Sequence, residues 1–307
     1  MKIRSNALVP FDLSFTLCCG QAFRWDKRGE WWCGVVGEHA FKIRQIGDML
    51  EFENADARFV RNYFGLNDDL LEIFSQIRKD KHITHAIEAF KGLRILRQDP
   101  WECLISYICA TYKNISTIKQ MLSNLSKKFG EKICYDGYDF YMFPTAKRLA
   151  KVNNNELEEC GLGYRAKYVS ETARAVYENT FNFEHLKLIS YEKAREELQN
   201  FSGVGLKVAD CILLFSLEKF EAFPIDVWIK RAILKYYANH FPKEFIDKIS
   251  RKKSPTKSEY EQMNLFGRRY FGKYAGYAQE YLYHYIRSKC KSFPTAPQQK
   301  TFKLIYK

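Results

Sequence analysis

The hydrophobic period changes partway along the chain, and that change excludes an all-helical and an all-strand fold alike. Apolar residues first recur at period two, in the short runs Trp31–Val36, His39–Ile46 and Met49–Glu53, separated by Gly37-Glu38 and Gly47-Asp48. Alternation turns one face of each strand to a core, and the glycine-bearing pairs close hairpins, so consecutive antiparallel strands are expected. After about Lys91 the spacing becomes three and four, opening at Asp99-Pro100-Trp101-Glu102, where Asp can cap, Pro can stand at N1 and Glu at N3. Trp101, Leu104, Ile105 and Ile108 then form one stripe, and amphipathic stretches follow at Ile115–Phe129, Arg165–Glu178 and Tyr191–Asn200. Ser258 to Glu261 matches a capping box opening a segment that ends near Cys290, behind an exposed basic loop at Arg251–Lys257. The expected class is α+β: an N-terminal antiparallel β domain over residues 1–95 and a mostly α-helical domain over residues 96–307.

Charge narrows the function classes. Lys+Arg minus Asp+Glu is 49 − 36 = +13, a field that attracts polyanions, nucleic acid before an anionic membrane. A membrane partner is not expected, because the longest apolar run, Cys211–Leu217, is far short of the ~20 residues a spanning helix needs. The N-terminal stretch is interrupted by Asn6, Pro10 and Asp12, which argues for a reducing, cytoplasmic location. Nine cysteines without a CxxC pair exclude a disulfide framework and a four-thiolate zinc or iron–sulfur site, so no metal is expected.

The informative stretch is Tyr191 to Leu234, with a helix–hairpin–helix expected at 191–216. A helix runs into Phe201–Cys211, where Gly203 and Gly205 flank Val204 before a second amphipathic helix: a helix–hairpin–helix signature. Such a turn brings backbone close to a ligand and presents the unpaired N–H groups of a helix start, so a phosphate docks there without sequence being read. A packing turn between helices has the same spelling, and the positive charge favours phosphate. Lys207 lies in the first turn of the second helix, where the dipole disfavours a cation. Desolvation there would lower its pKa and make the amine a nucleophile for a sugar C1′; a solvated surface lysine is the plainer alternative. Cys211 stands one turn on, on the same face. Asp226 precedes another amphipathic helix, where backbone N–H groups would fix its carboxylate in ionised form, able to take the lysine proton and to stabilise positive charge on a deoxyribose ring.

The combination resembles the helix–hairpin–helix, Gly/Pro/Asp superfamily of DNA glycosylases, and its detail is similar to the 8-oxoguanine DNA glycosylase branch. Six blocks carry the likeness in family order: Cys18–Trp25, Leu96–Cys109, Gly161–Ser170, Ser202–Cys211, Pro224–Trp228 and Tyr274–Tyr283. The resemblance implies two helical subdomains with an active site in the cleft between them. It implies a bifunctional enzyme that flips 8-oxoguanine out of duplex DNA, removes it through a lysine Schiff base and nicks by β-elimination. A related glycosylase for another damaged base, or a silent helix–hairpin–helix DNA-binding module, is the alternative. By the resemblance Lys207 is the nucleophile and Asp226 the essential carboxylate. Gly20 offers its carbonyl to the N7–H of the oxidised purine, Cys211 and Tyr283 sandwich the base, and Gln279 bonds its Watson–Crick edge. Gly203, Val204, Gly205, Tyr164, Arg165 and Asn114 are the implied DNA contacts, Tyr164 and Arg165 as wedges beside the estranged partner base. Where the family commonly has three asparagines the chain has Tyr112-Lys113-Asn114; Thr117 replaces an arginine that contacts the estranged cytosine, and Trp228 replaces a phosphate-contacting histidine. Relaxed partner-base preference follows as an expectation. The partner is duplex DNA containing 8-oxoguanine, no cofactor is implied, and a monomer is expected. Richness in Lys, Ile, Asn, Tyr and Phe suggests an AT-rich, bacterial genome and a nucleoid-associated location.

Overall fold

The computed structural model describes residues 1–4, 11–178 and 181–289, so Cys290, the expected end of the last segment, lies outside the described residues. Five strands, β1 (Lys2–Arg4), β2 (Trp25–Arg28), β3 (Trp31–Val36), β4 (His39–Ile46) and β5 (Met49–Glu53), form one antiparallel sheet in the order β1-β5-β4-β3-β2. The three strands expected from sequence have the bounds read from their period. One face of the sheet, carried by Phe41, Ile43, Leu50 and Phe52, closes with Trp25, Tyr63 and Phe64 into the smaller of two cores. The larger core joins the remaining helices, and it takes in Leu70, Ile73, Ile77, Ile83 and Ile87 from helices Leu70–Ile77 and Lys81–Ala89. Packing therefore crosses the division expected at residue 95.

The helix at Pro100–Cys109 starts as expected: Asp99 accepts from the Glu102 N–H and Pro100 sits in the first turn. Its burial is wider than one stripe, since Cys103 through Cys109 are all buried. Helix Ile115–Phe129 and helix Arg165–Glu178 have the expected bounds.

The mostly helical part after Lys91 also holds one hairpin: β6 (Lys132–Tyr135) and β7 (Tyr138–Tyr141) pair around Asp136-Gly137, both at positive φ. An Asp-Gly pair between β-prone runs is a readable hairpin signal. The capping box lies two residues earlier than Ser258–Glu261: Thr256 accepts from the Glu259 N–H and Glu259 accepts from the Thr256 N–H. Two overlapping spellings compete there, and the one that directly follows Pro255 wins. That helix, Lys257–Phe271, stops at Gly272, and a separate helix, Ala275–Lys289, follows.

Candidate active site

The hairpin joins helix Tyr191–Leu198 to helix Leu206–Ser216. Gly203 has φ +81, and a Cβ there would lie 2.8–3.0 Å from the Tyr168 side chain, so the position needs glycine for both conformation and space. Gly205 is the N-cap of the second helix and no side chain caps it, which leaves the first-turn N–H groups to a ligand. Val204 departs from expectation. Its side chain is buried, and its N–H donates to the Phe201 carbonyl at 3.1 Å, so it holds the turn instead of a phosphate.

Behind the hairpin, Asp210 is fully buried and accepts from Tyr191 Oη, Tyr260 Oη, Asn264 Nδ2 (3.0 Å) and Arg195 Nη2 (3.3 Å). Burial raises its pKa, opposed by the Arg195 charge and the two tyrosine hydroxyls. This network clamps three helices together directly beneath the face that carries Lys207 and Cys211.

Lys207 and Cys211 line one cavity of about 250 Å³, as expected from their spacing. Lys207 Nζ lies 5.1 Å from the Tyr107 ring centroid, and Tyr107 stacks on Phe215 at 5.6 Å and 11°. The ammonium thus rests on an aromatic face fixed by the neighbouring helix. Cys211 is a neutral thiol, pushed up to about 12 by burial.

Asp226 lines the same cavity and caps helix Val227–Tyr236, its Oδ1 accepting from Trp228 N (2.9 Å) and Ile229 N (2.8 Å). Both cap bonds fall on one oxygen, leaving Oδ2 for the cavity. The simple expectation of an easily ionised carboxylate is corrected: desolvation outweighs the Ile229 N–H, the Lys207 charge and the Trp228 N–H, and the pKa is raised.

Gly20, Gln279 and Tyr283 line it as well. Gly20 has φ +104, and a Cβ there would meet Ile115 Cδ1 at 3.1 Å and Tyr283 Oη at 3.3 Å. Residues not singled out from sequence hold its loop. Gln21 is buried, donates to the carbonyls of Thr16 (2.9 Å) and Arg94 (2.8 Å) and accepts from Leu96 N (2.8 Å). Arg287 Nη1 donates to the Cys19 carbonyl at 3.0 Å. A buried glutamine beside a positive-φ glycine is the signal that could have found the first; the second depends on a contact across 268 residues.

The DNA-facing rim is mixed. Tyr164 is 55% exposed, with its ring edge on Tyr168, the residue under Gly203. Asn114 lines the cavity, but its Oδ1 caps helix Ile115–Phe129, accepting from Thr117 N (2.9 Å), Thr117 Oγ1 (2.8 Å) and Ser116 Oγ (2.8 Å). Arg165 is corrected as a surface wedge: it is 3% exposed and donates to the carbonyls of Thr111 and Leu162, with its guanidinium 4.3 Å from the Tyr164 ring centroid. It ties the start of its helix to the loop that presents Tyr112. Tyr112, which sequence reading left without a role, is 80% exposed and held at φ +56, uncommon for a bulky side chain.

Among the described residues no helix is long and apolar enough to cross a membrane, and no group of three or more His, Cys, Asp or Glu side chains could hold a metal ion.

Residues 3–104 match the family model for the 8-oxoguanine DNA glycosylase N-terminal domain, and residues 105–255 match that for HhH-GPD superfamily base excision DNA repair proteins. The chain is 33% identical to the N-glycosylase/DNA lyase of Saccharomyces cerevisiae over 88% of its own length and 82% of the yeast protein. It is 30% identical to the Arabidopsis thaliana N-glycosylase/DNA lyase, over 88% and 76%. Among solved structures it is similar to the Clostridium acetobutylicum 8-oxoguanine glycosylase/lyase in complex with duplex DNA containing cytosine opposite 8-oxoguanine, with TM-score 0.82, 34% identity and coverage of 91% and 93%.

Proposed function

The chain belongs to the 8-oxoguanine DNA glycosylases of the HhH-GPD superfamily, and from that premise we propose that it excises 8-oxoguanine from duplex DNA and then cleaves the strand as a lyase. The observation that carries the reading is the meeting of Lys207 and Asp226 in one base-sized cavity with Gly20, Cys211, Gln279 and Tyr283. The extruded nucleotide enters that cavity because its C1′ is out of reach inside the stack. Cys211 and Tyr283 supply the two faces that sandwich the base, the Gly20 carbonyl takes N7–H, and Gln279 takes the Watson–Crick edge. The N7–H distinguishes 8-oxoguanine from guanine, which would leave a buried carbonyl unpaired.

Asp226 takes a proton from Lys207 Nζ, and the freed lone pair attacks C1′ as the bond to N9 breaks; the electron pair leaves with the base, to which Asp226 returns that proton. The desolvated Asp226 carboxyl is suited to hold it in between. The same carboxylate stabilises positive charge growing on the sugar. Ring opening gives the Schiff base, loss of a C2′ proton expels the 3′ phosphate, and water later frees the lysine. Gly203, Gly205 and the first turn after them hold a backbone phosphate while Tyr164 fills the space beside the estranged base.

One chain supplies every residue of the cavity, so a monomer suffices. Its place is with the chromosome, in a bacterial nucleoid on the compositional reading. Incubation of the full chain with 8-oxoguanine duplex under borohydride tests the function. A covalent adduct is expected with the native chain and none with Lys207→Gln, which retains duplex binding because the backbone contacts remain. Undiminished trapping by Lys207→Gln overturns the nucleophile, and no excision by the native chain overturns the substrate.

A further inference from the structure

Glu280 follows Gln279 on helix Ala275–Lys289 and has no part in the chemistry above. It lines the base cavity and is 2% exposed. Its Oε1 is buried with no hydrogen-bond partner, and so is Oε1 of Gln279 beside it. A buried acceptor left unpaired costs roughly 1–3 kcal/mol, and more when charged, so two on residues lining one cavity point to a ligand that brings donors. The groups facing Glu280 do not supply them all. Cys19 and Arg287 favour ionisation, Arg287 from the same helix, and Asp226 opposes it; the Cys19 thiol itself donates to the Thr16 carbonyl at 3.2 Å. Tyr107, Cys211 and Tyr283 also feel its charge, and each is held neutral by burial.

We propose that Glu280 is a further base-reading residue, whose carboxylate Oε1 accepts a hydrogen bond from an N–H of the extruded oxidised purine. This rests on the functional reading above. An 8-oxopurine in its lactam form with an exocyclic amine carries N–H donors at N1, N7 and N2. A wall that presents the Gly20 carbonyl, Gln279 Oε1 and Glu280 Oε1 offers acceptors to match, and a base with fewer donors leaves one of them empty. Burial holds the Glu280 carboxyl up at about 7, opposed by Cys19 and Arg287 and reinforced by Asp226. Base reading therefore strengthens as pH rises through neutrality, because only the ionised form accepts with both oxygens.

Single-turnover excision of 8-oxoguanine by the native chain, Glu280→Gln and Glu280→Leu tests this between pH 6 and pH 8. A hydrogen bond to a charged group is worth enough that Glu280→Leu should excise about tenfold or more slowly at pH 8. Glu280→Gln retains an acceptor but cannot ionise. The ratio of native to Glu280→Gln rates cancels every pH dependence the two proteins share and should rise up to about tenfold over that range, the change in ionised fraction for a group titrating near 7. Borohydride trapping on a duplex that already carries an abasic site, where no base occupies the cavity, shows that each variant is folded; if Glu280→Leu fails it, the ratio for Glu280→Gln decides. A flat ratio, or native-like excision by Glu280→Leu, overturns the role of Glu280 and leaves the function standing. A native chain that excises no 8-oxoguanine overturns both.

Discussion

Replacing Asp226 by asparagine should separate the two roles the carboxyl combines. As an N-cap, Asn is about as good as Asp, so the bonds from Trp228 N and Ile229 N survive in Asp226→Asn and are lost in Asp226→Ala, which should cost about 1 kcal/mol. The charge acts in the opposite direction on stability. The folded pKa of Asp226 is raised, so the folded state holds its proton more tightly than the unfolded chain does. Stability from this group is complete below the unfolded value near 3.8 and is lost as pH rises through the folded value, so at pH 7 the ionised carboxyl is a net burden. Asn removes that burden, and the offset is the lost attraction to Lys207 and Arg287. Urea unfolding at pH 7 should therefore place Asp226→Asn at or above the native midpoint with unchanged slope, and Asp226→Ala below Asp226→Asn. Excision should fall in both variants by about 10²–10⁴, because the proton acceptor and the charge opposite the sugar are gone. Asp226→Asn less stable than Asp226→Ala, or excision within tenfold of native by Asp226→Asn, would refute the reasoning.

Gly203→Ala places a side chain at φ +81 and drives Tyr168 away from the hairpin, so it should cost roughly 1–2 kcal/mol in thermal or urea unfolding and weaken duplex binding as well. Native stability in that variant would mean that the turn relaxes freely. Affinity for undamaged duplex should fall about a hundredfold between 50 and 200 mM salt if about four cationic side chains neutralise phosphates, and a flat response would return the +13 charge to solubility. Asp210→Ala leaves Tyr191, Tyr260 and Asn264 without their shared acceptor, while Arg195 keeps Glu261, and should cost roughly 3–5 kcal/mol in urea unfolding; a cost under about 1 kcal/mol would show that the cluster does not clamp the hairpin. Preference for cytosine opposite the lesion should be weak, and Thr117→Arg should raise it about tenfold in single-turnover excision against all four partners; no change would mean that partner reading lies elsewhere.

What was legible from sequence was what short-range chemistry dictates. Period two gave β3 to β5, Asp99-Pro100 gave the start of a helix, and a glycine pair with a lysine two residues on gave the hairpin and the place of Lys207 in the first turn of its second helix. Spacing put Lys207 and Cys211 on one face, and both do line the cavity. The misses share another cause. The supports of the site, Arg287 on the Cys19 carbonyl and Tyr107 under Lys207, join residues far apart in the chain, and no local pattern marks them. The ionisation of Asp226 was misread because its cap bonds are local and visible in sequence, whereas the packing that desolvates it is not.

The same distinction bears on how the protein meets the two strands of its substrate. On the lesion side, side chains stand with unmet hydrogen-bonding capacity: Gln279 Oε1 and Glu280 Oε1 have no partner. On the partner side the polar groups are already engaged within the protein. Asn114 Oδ1 takes three bonds at the start of its helix, Thr117 gives it two of them, and Arg165 holds the carbonyl of Thr111. A group that must break an internal bond before it reads a base spends that bond's energy, and discrimination falls by the same amount. The large hydrophobic side chains exposed beside them are aromatic, Tyr164 and Tyr112, and a ring stacks on any base. Arg165 then serves as a strut that sets the two rings relative to each other, so Arg165→Ala should slow excision opposite every partner alike and leave the order of preference unchanged. Loss of one partner's preference alone would show that the guanidinium leaves its internal bonds and reaches the estranged base.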